Sequence, residues 1–79
     1  MLKLYYATYC PYCAKVIKNF NETGVKYELI NAEPDTEGRD ELVKLGGKAQ
    51  IPFLVDGNTM MYESNDIIEY ARKNRDTSK

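Results

Sequence analysis

The 79-residue chain has no histidine, no tryptophan, only two cysteines and no apolar run near the ~20 residues that a membrane span requires. Without histidine there is no Ser-His or Cys-His catalytic pair, no imidazole base and no imidazole metal ligand. Two cysteines are too few for a closed four-ligand zinc site within one chain, so no metal site is expected. Excess charge is also missing. Eleven Lys and Arg stand against twelve Asp and Glu, a formal net charge of −1, which argues against nucleic acid as the main partner. The start, Met1-Leu2-Lys3-Leu4-Tyr5-Tyr6, lacks the basic region, long apolar core and small-residue cleavage site of a signal peptide. A cytoplasmic location and no membrane association are therefore expected. The chemistry left near neutral pH is that of sulfur.

Hydrophobic residues make up 43% of the chain, enough for one small globular domain over residues 1–79. Leu2 to Ala7 is nearly continuously apolar and reads as a strand covered on both faces. Pro11 suits a first helical position, and Cys13, Val16, Ile17 and Phe20 follow at helical spacing, with Gly24 as the stop. Val25 to Ile30 predicts a second strand, with Val25, Tyr27 and Leu29 on its inner face. Asp35 or Thr36 caps a helix through Leu42 and Leu45 that stops at Gly46-Gly47. Ile51 to Val55 predicts a third strand, Asp56-Gly57 a hairpin turn, and Met60 to Tyr62 a fourth. Ser64 or a neighbour caps a last helix with Ile67, Ile68 and Ala71 inward, and Asn74 to Lys79 reads as a polar tail. The order is β-α-β-α-β-β-α: an α/β fold with a mixed four-stranded sheet, three flanking helices, and the first two strands parallel. With no apolar stripe left over once the helices pack, a monomer is expected.

Cys10-Pro11-Tyr12-Cys13 falls where the first strand gives way to the first helix. Cys10 then lies at the amino end of that helix, where unpaired N–H groups and the positive end of the macrodipole favour a thiolate. The i, i+3 spacing puts both sulfurs on one face of the first turn, so Cys13 can attack a mixed disulfide formed on Cys10. Cys10, outside the helix proper, is the better nucleophile; Cys13 lies on the apolar stripe. Tyr9 and Tyr12 add aromatic surface for a thiol-bearing ligand. A C-x-x-C pair also admits other readings: a structural disulfide, a zinc site completed by a second chain, or two inert buried cysteines. A bridge over so short a loop constrains the unfolded chain little, and the strand–turn–helix setting with a downstream Ile-Pro strand favours redox chemistry.

The Cys10-Pro11-Tyr12-Cys13 motif, Gln50-Ile51-Pro52, the Asp56-Gly57 turn and Tyr62-Glu63-Ser64 resemble glutaredoxins of the thioredoxin fold. Residues Tyr62 to Tyr70 look most like glutathione-transferase-like glutaredoxins, whose further helical domain has no counterpart in these residues. The resemblance implies a glutathione-binding groove. Cys10 would be the nucleophile and Cys13 the resolving thiol. Tyr12 would pack beside the tripeptide. Pro52 matches the family's cis-proline, which leaves the Ile51 backbone to pair with the cysteinyl unit by strand addition. Glu63 and Ser64 match the pair that holds the γ-glutamyl end, with Asn65 beside them. Lys48 matches a basic position that meets the glycine carboxylate, and Gln50 adds a hydrogen bond. Taken without the resemblance, Ser64 is an N-cap, Glu63 a first-turn charge and Lys48 a solvated loop lysine. One departure stands out: many glutaredoxins carry Lys or Arg three residues before the first cysteine, and here that residue is Ala7.

The function expected from this resemblance is that of a glutathione-dependent thiol–disulfide oxidoreductase. It would have no tightly bound cofactor, glutathione as co-substrate, and glutathionylated or disulfide-bonded proteins as partners. A thioredoxin-like electron donor, recharged by a flavoprotein reductase and serving an enzyme such as a ribonucleotide reductase, is the alternative. A [2Fe–2S] carrier with Cys10 from two chains and two glutathiones is a third, which Pro11 disfavours.

Overall fold

A computed structural model of the chain describes residues 2–74. The elements run β1 Leu2–Tyr6, α1 Pro11–Thr23, β2 Tyr27–Asn31, α2 Glu37–Gly46, β3 Phe53–Asp56, β4 Thr59–Met61 and α3 Ser64–Asn74. The sheet order is β2-β1-β3-β4, with β1 parallel to β2 and antiparallel to β3, and β3 antiparallel to β4. This is the mixed four-stranded sheet with three helices that the sequence predicts. The tail expected from Asn74 to Lys79 lies outside the described residues, apart from Asn74, which ends α3.

Burial explains the layering. Leu2 and Leu4 of β1 join Val16 and Phe20 of α1 and Ile67 and Ala71 of α3 in a core on one face of the sheet. Tyr5 turns to the other face, with Phe53 and Val55 of β3, Ala32 just after β2, and Leu42 of α2. A near-continuous apolar strand is what a position covered on both faces requires. Tyr5 is fully buried, but its hydroxyl donates to the Glu41 carboxylate at 2.8 Å, so its one polar atom is satisfied.

Local chemistry sets the helix ends. Gly24 closes α1 in the left-handed region, with φ 75. Of the two candidate caps for α2, Thr36 takes the role: its Oγ1 accepts the Arg39 N–H at 3.1 Å, while Asp35 holds a left-handed turn position.

The strands differ from the expectation at their ends and in exposure. β1 stops at Tyr6, β4 is Thr59–Met61 and leaves Tyr62 outside it, and Asp56 pairs with Thr59 as the last residue of β3, so the turn itself is Gly57-Asn58. β2 begins at Tyr27, because the Val25 N–H is spent on the Phe20 carbonyl at 3.1 Å in closing α1. Leu29 shares a face with its register partner Leu4 but is 43% exposed, because β2 is an edge strand and helices cover it only in part. β3 begins at Phe53 and leaves Ile51-Pro52 outside the ladder, where a residue without an N–H costs no strand pairing.

Candidate active site

Sheet topology gathers the chemically marked segments at one end of the fold. Tyr5 pairs with Phe53, so the end of β1 that runs into Cys10 lies beside the start of β3, just after Ile51-Pro52. Leu54 pairs with Met61, which returns the end of β4, and with it Tyr62-Glu63-Ser64, to that same end.

Cys10 caps α1. Its backbone is extended (φ −93, ψ 112), its N–H donates to the Ala7 carbonyl at 3.2 Å, and its own carbonyl accepts the Ala14 N–H at 3.1 Å. Its Sγ accepts the Cys13 N–H at 3.2 Å. A sulfur thus stands where Ser, Thr or Asp usually supplies the capping oxygen, and the donor aimed at it stabilises that atom when it carries charge. Cys10 is half-buried and Cys13 fully buried. Burial pushes the Cys13 thiol up to about 12, helped by its hydrogen bond to Cys10 and by the Cys10 charge, while the Ala7 backbone pulls the other way. Cys13 is therefore a protonated thiol at neutral pH, held in reserve behind Cys10. Tyr9 and Tyr12 flank the pair, each 63% exposed.

The remaining expected site residues fall on two arms. On the first, Lys48 and Gln50 are exposed, Ile51 is half-buried against the Tyr5–Phe53 core, and Pro52 is buried behind a cis Ile51–Pro52 peptide bond. On the second, the Glu63 carbonyl accepts the Ile67 N–H at 2.9 Å, so Glu63 takes the cap position of α3 and half-buried Ser64 is the first helical residue. Lys48 does not extend into solvent alone; its Nζ lies 4.7 Å from the centre of the Tyr62 ring. Ala7, where many glutaredoxins carry a cation, is 2% exposed.

Three relationships escape a reading of the sequence. The Glu33 carboxylate accepts from the Thr8 hydroxyl at 2.6 Å, the Thr8 N–H at 3.3 Å and the Asn31 amide at 2.8 Å, which ties the loop before Cys10 to the end of β2. These bonds, the Thr8 hydroxyl foremost, hold the Glu33 carboxyl below the usual range. Lys15 Nζ donates to Asn65 Oδ1 at 2.7 Å and joins α1 to the start of α3. Tyr62 links the two arms. Only Asn31-Ala32-Glu33 carries a signal, since Asn favours turns of this kind; here its Oδ1 accepts the Glu33 N–H at 2.8 Å.

The β-α-β-α-β-β-α order, the sheet order and the placement of a C-x-x-C pair at the amino end of α1 define a thioredoxin-like domain. Residues 4–79 match the family described as glutathione S-transferase, N-terminal domain. The chain belongs to that family, and its resemblance to glutaredoxins is borne out by its relatives. Glutaredoxin 2 of Escherichia coli (strain K12) is 34% identical over 76 residues, covering 91% of this chain and 33% of the relative. A solved structure of Glutaredoxin 2 from Salmonella typhimurium in complex with glutathione matches with a TM-score of 0.74 and 29% identity, covering 90% of this chain and 32% of that one. The buckwheat glutaredoxin–glutathione complex matches with a TM-score of 0.70 and 25% identity, over 94% of this chain and 70% of that one. The chain spans about a third of the length of the Glutaredoxin 2 proteins it matches. Among the described residues, no helix is long and apolar enough to cross a membrane.

Proposed function

We propose that the chain is a glutathione-dependent thiol–disulfide oxidoreductase that uses Cys10 as nucleophile and Cys13 as resolving thiol. The observation that carries this reading is the Cys10 sulfur, half-buried at the cap of α1 and facing the Cys13 N–H at 3.2 Å. The Cys10 thiolate attacks the glutathionyl sulfur of a mixed disulfide, forms Cys10–S–SG and expels the substrate thiolate, which takes a proton from water. A second glutathione thiolate then attacks that glutathionyl sulfur, giving glutathione disulfide and restoring the Cys10 thiolate. Where the substrate is a protein disulfide, the Cys10 thiolate attacks one of its sulfurs and releases the other as a thiolate that takes a proton from water. The Cys13 sulfur then attacks Cys10 Sγ, its proton passing to the departing substrate thiolate, which leaves a Cys10–Cys13 disulfide for glutathione to reduce.

Glutathione bound to the Salmonella and buckwheat relatives supports it as co-substrate. Tyr12, Lys48, Gln50, Ile51, Pro52, Glu63 and Ser64 are the residues proposed to bind it, with glutathionylated or disulfide-bonded proteins as the partners. We place the domain, as a monomer, in the cytoplasm, where a reducing glutathione pool keeps such a thiol pair turning over. The test is turnover of a glutathionylated peptide with glutathione, glutathione reductase and its nicotinamide reductant. Turnover that vanishes in Cys10→Ser supports the reading. Unchanged turnover in that variant, or none in the unaltered chain, overturns it.

Buried Ala7, in place of a cation, favours a second reading as an electron donor recharged by a flavoprotein reductase. Faster turnover with thioredoxin reductase than with glutathione would select it.

A further inference from the structure

Tyr62 is engaged on every part of its side chain. Its hydroxyl donates to the Lys48 carbonyl at 3.2 Å, its ring lies 4.7 Å from Lys48 Nζ, and the same ring packs on buried Phe53 with centroids 4.6 Å apart and planes tilted by 33°. Lys48 is thus held twice by one residue, through its main chain and through its ammonium. The site is cut to fit this ring. A methyl group on Gly46, the last residue of α2, would overlap the Tyr62 hydroxyl and lie 2.8 Å from Tyr62 Cζ and 3.1 Å from Phe53 Cε1. Alanine, the better helix former, would not fit there unless Tyr62 moved. Gly47, beside it, serves a separate purpose as the left-handed cap of α2, with φ 86.

Tyr62 directly precedes Glu63-Ser64, and Lys48 lies two residues before Gln50-Ile51-Pro52. One aromatic side chain therefore joins the two segments assigned to opposite ends of glutathione. We propose that Tyr62 is a positioning residue for glutathione: braced on Phe53 and admitted by Gly46, it holds the Lys48–Ile51 loop at a fixed spacing from Glu63-Ser64. The proposal rests on the glutathione reading of the site. It assigns Tyr62 no contact with the reacting sulfur, so its effect belongs in substrate affinity and not in Cys10 chemistry. The ring face also keeps the Lys48 ammonium ordered, while its N–H groups stay available to a carboxylate.

Steady-state turnover of a glutathionylated peptide with glutathione tests this in the full chain, in Tyr62→Phe, Tyr62→Leu, Gly46→Ala and the Gly46→Ala/Tyr62→Leu double variant. The rate of Cys10 alkylation by iodoacetamide is followed in parallel. Tyr62→Phe loses only the bond to the Lys48 carbonyl, and KM should rise about threefold; Tyr62→Leu loses the ring as well, and KM should rise about tenfold. In both, kcat and the alkylation rate should stay within about twofold of the unaltered chain. Gly46→Ala should raise KM by displacing Tyr62, and should add little to KM in the Tyr62→Leu background, where the overlap with the Tyr62 hydroxyl is gone and only the 3.1 Å approach to Phe53 Cε1 remains. An unchanged KM in Tyr62→Leu overturns the proposal. So does a rise in KM accompanied by a parallel fall in kcat and alkylation, which marks a structural role alone, or a Gly46→Ala penalty on KM undiminished in the double variant. If Tyr62→Leu does not fold, an unchanged KM in Tyr62→Phe is decisive against it. Absence of glutathione-dependent turnover in the unaltered chain is a different failure, that of the functional reading beneath.

Discussion

The backbone N–H of Cys13 donates to the sulfur of Cys10 at 3.2 Å, so the second cysteine supports the first through its main chain while its own sulfur stays inside the core. Identical side chains three residues apart are thereby given unequal chemistry. Cys10 is the one open to solvent, and burial holds Cys13 protonated, with its thiol at about 12. Iodoacetamide at neutral pH should modify Cys10 at least about tenfold faster than Cys13, read by peptide mass mapping over time, because the thiolate is the reactive form. Comparable labelling of the two would contradict the assignment.

Replacing Cys13 by serine removes a thiol but leaves the N–H that faces Cys10. Cys13→Ser should therefore keep deglutathionylation of a small substrate within about threefold of the unaltered chain, since the attack and its regeneration by glutathione need only Cys10. Reduction of a protein disulfide, which needs the resolving thiol, should fall by about tenfold or more. The two assays run side by side on one preparation. Equal loss in both would show that Cys13 does more for Cys10 than its backbone explains.

Gly38, in the first turn of α2, is buried, and a methyl group there would overlap the Asn31 carbonyl oxygen and lie 3.0 Å from Ile30 Cγ2. Helix propensity alone would make Gly38→Ala stabilising by about 1 kcal/mol. The close approach of α2 to the end of β2 reverses the sign, because backbone cannot yield as a flexible side chain can. Gly38→Ala should destabilise the domain by about 1–3 kcal/mol in urea unfolding. A more stable variant would mean that α2 shifts away from β2 at little cost.

The parts of the fold legible in the sequence are those where local chemistry and burial agree. The apolar run of β1, Pro11 after Cys10, and the stripe through Val16 and Phe20 each point to one element, and the element is there; the hairpin signalled by Asp56-Gly57 is there too, with its turn one residue later at Gly57-Asn58. The C-x-x-C pair was legible for the same reason, since a helix start can be read locally. Leu29 was not: its exposure depends on β2 lying at the sheet edge, and strand order is a property of the whole chain. Nor do Gly38 and Gly46 announce themselves. Gly38 sits inside a helical pattern, and Gly46 looks like half of a stop signal until Tyr62, sixteen residues on, is found against it. Glu33 was legible only as part of a turn, because its partner Thr8 lies on another strand's loop, 25 residues away.

The two buried acids that titrate at high pH, Cys13 and Tyr5, set an alkaline limit on stability. Tyr5 is pushed from an ordinary 10.0 up to about 12, by burial first and then by its hydrogen bond to Glu41; Cys13 moves from 9.0 to about 12. In the unfolded chain both give up their protons near the ordinary values, whereas the folded domain retains them. The folded state then binds more protons than the unfolded one, and unfolding becomes easier as pH rises. The stabilisation is complete below pH 9 and is lost progressively from there to about pH 12. A thermal melt series from pH 7 to 11 should show a melting temperature that falls beyond pH 9, and Cys13→Ala and Tyr5→Phe should each flatten that fall. Tyr5→Phe should cost about 0.5–1.5 kcal/mol at pH 7, where only the bond to Glu41 is lost and the exposed carboxylate recovers water. A melting temperature that holds level to pH 11 in the unaltered chain would mean that the hydroxyl and the thiol reach solvent far more readily than their burial implies.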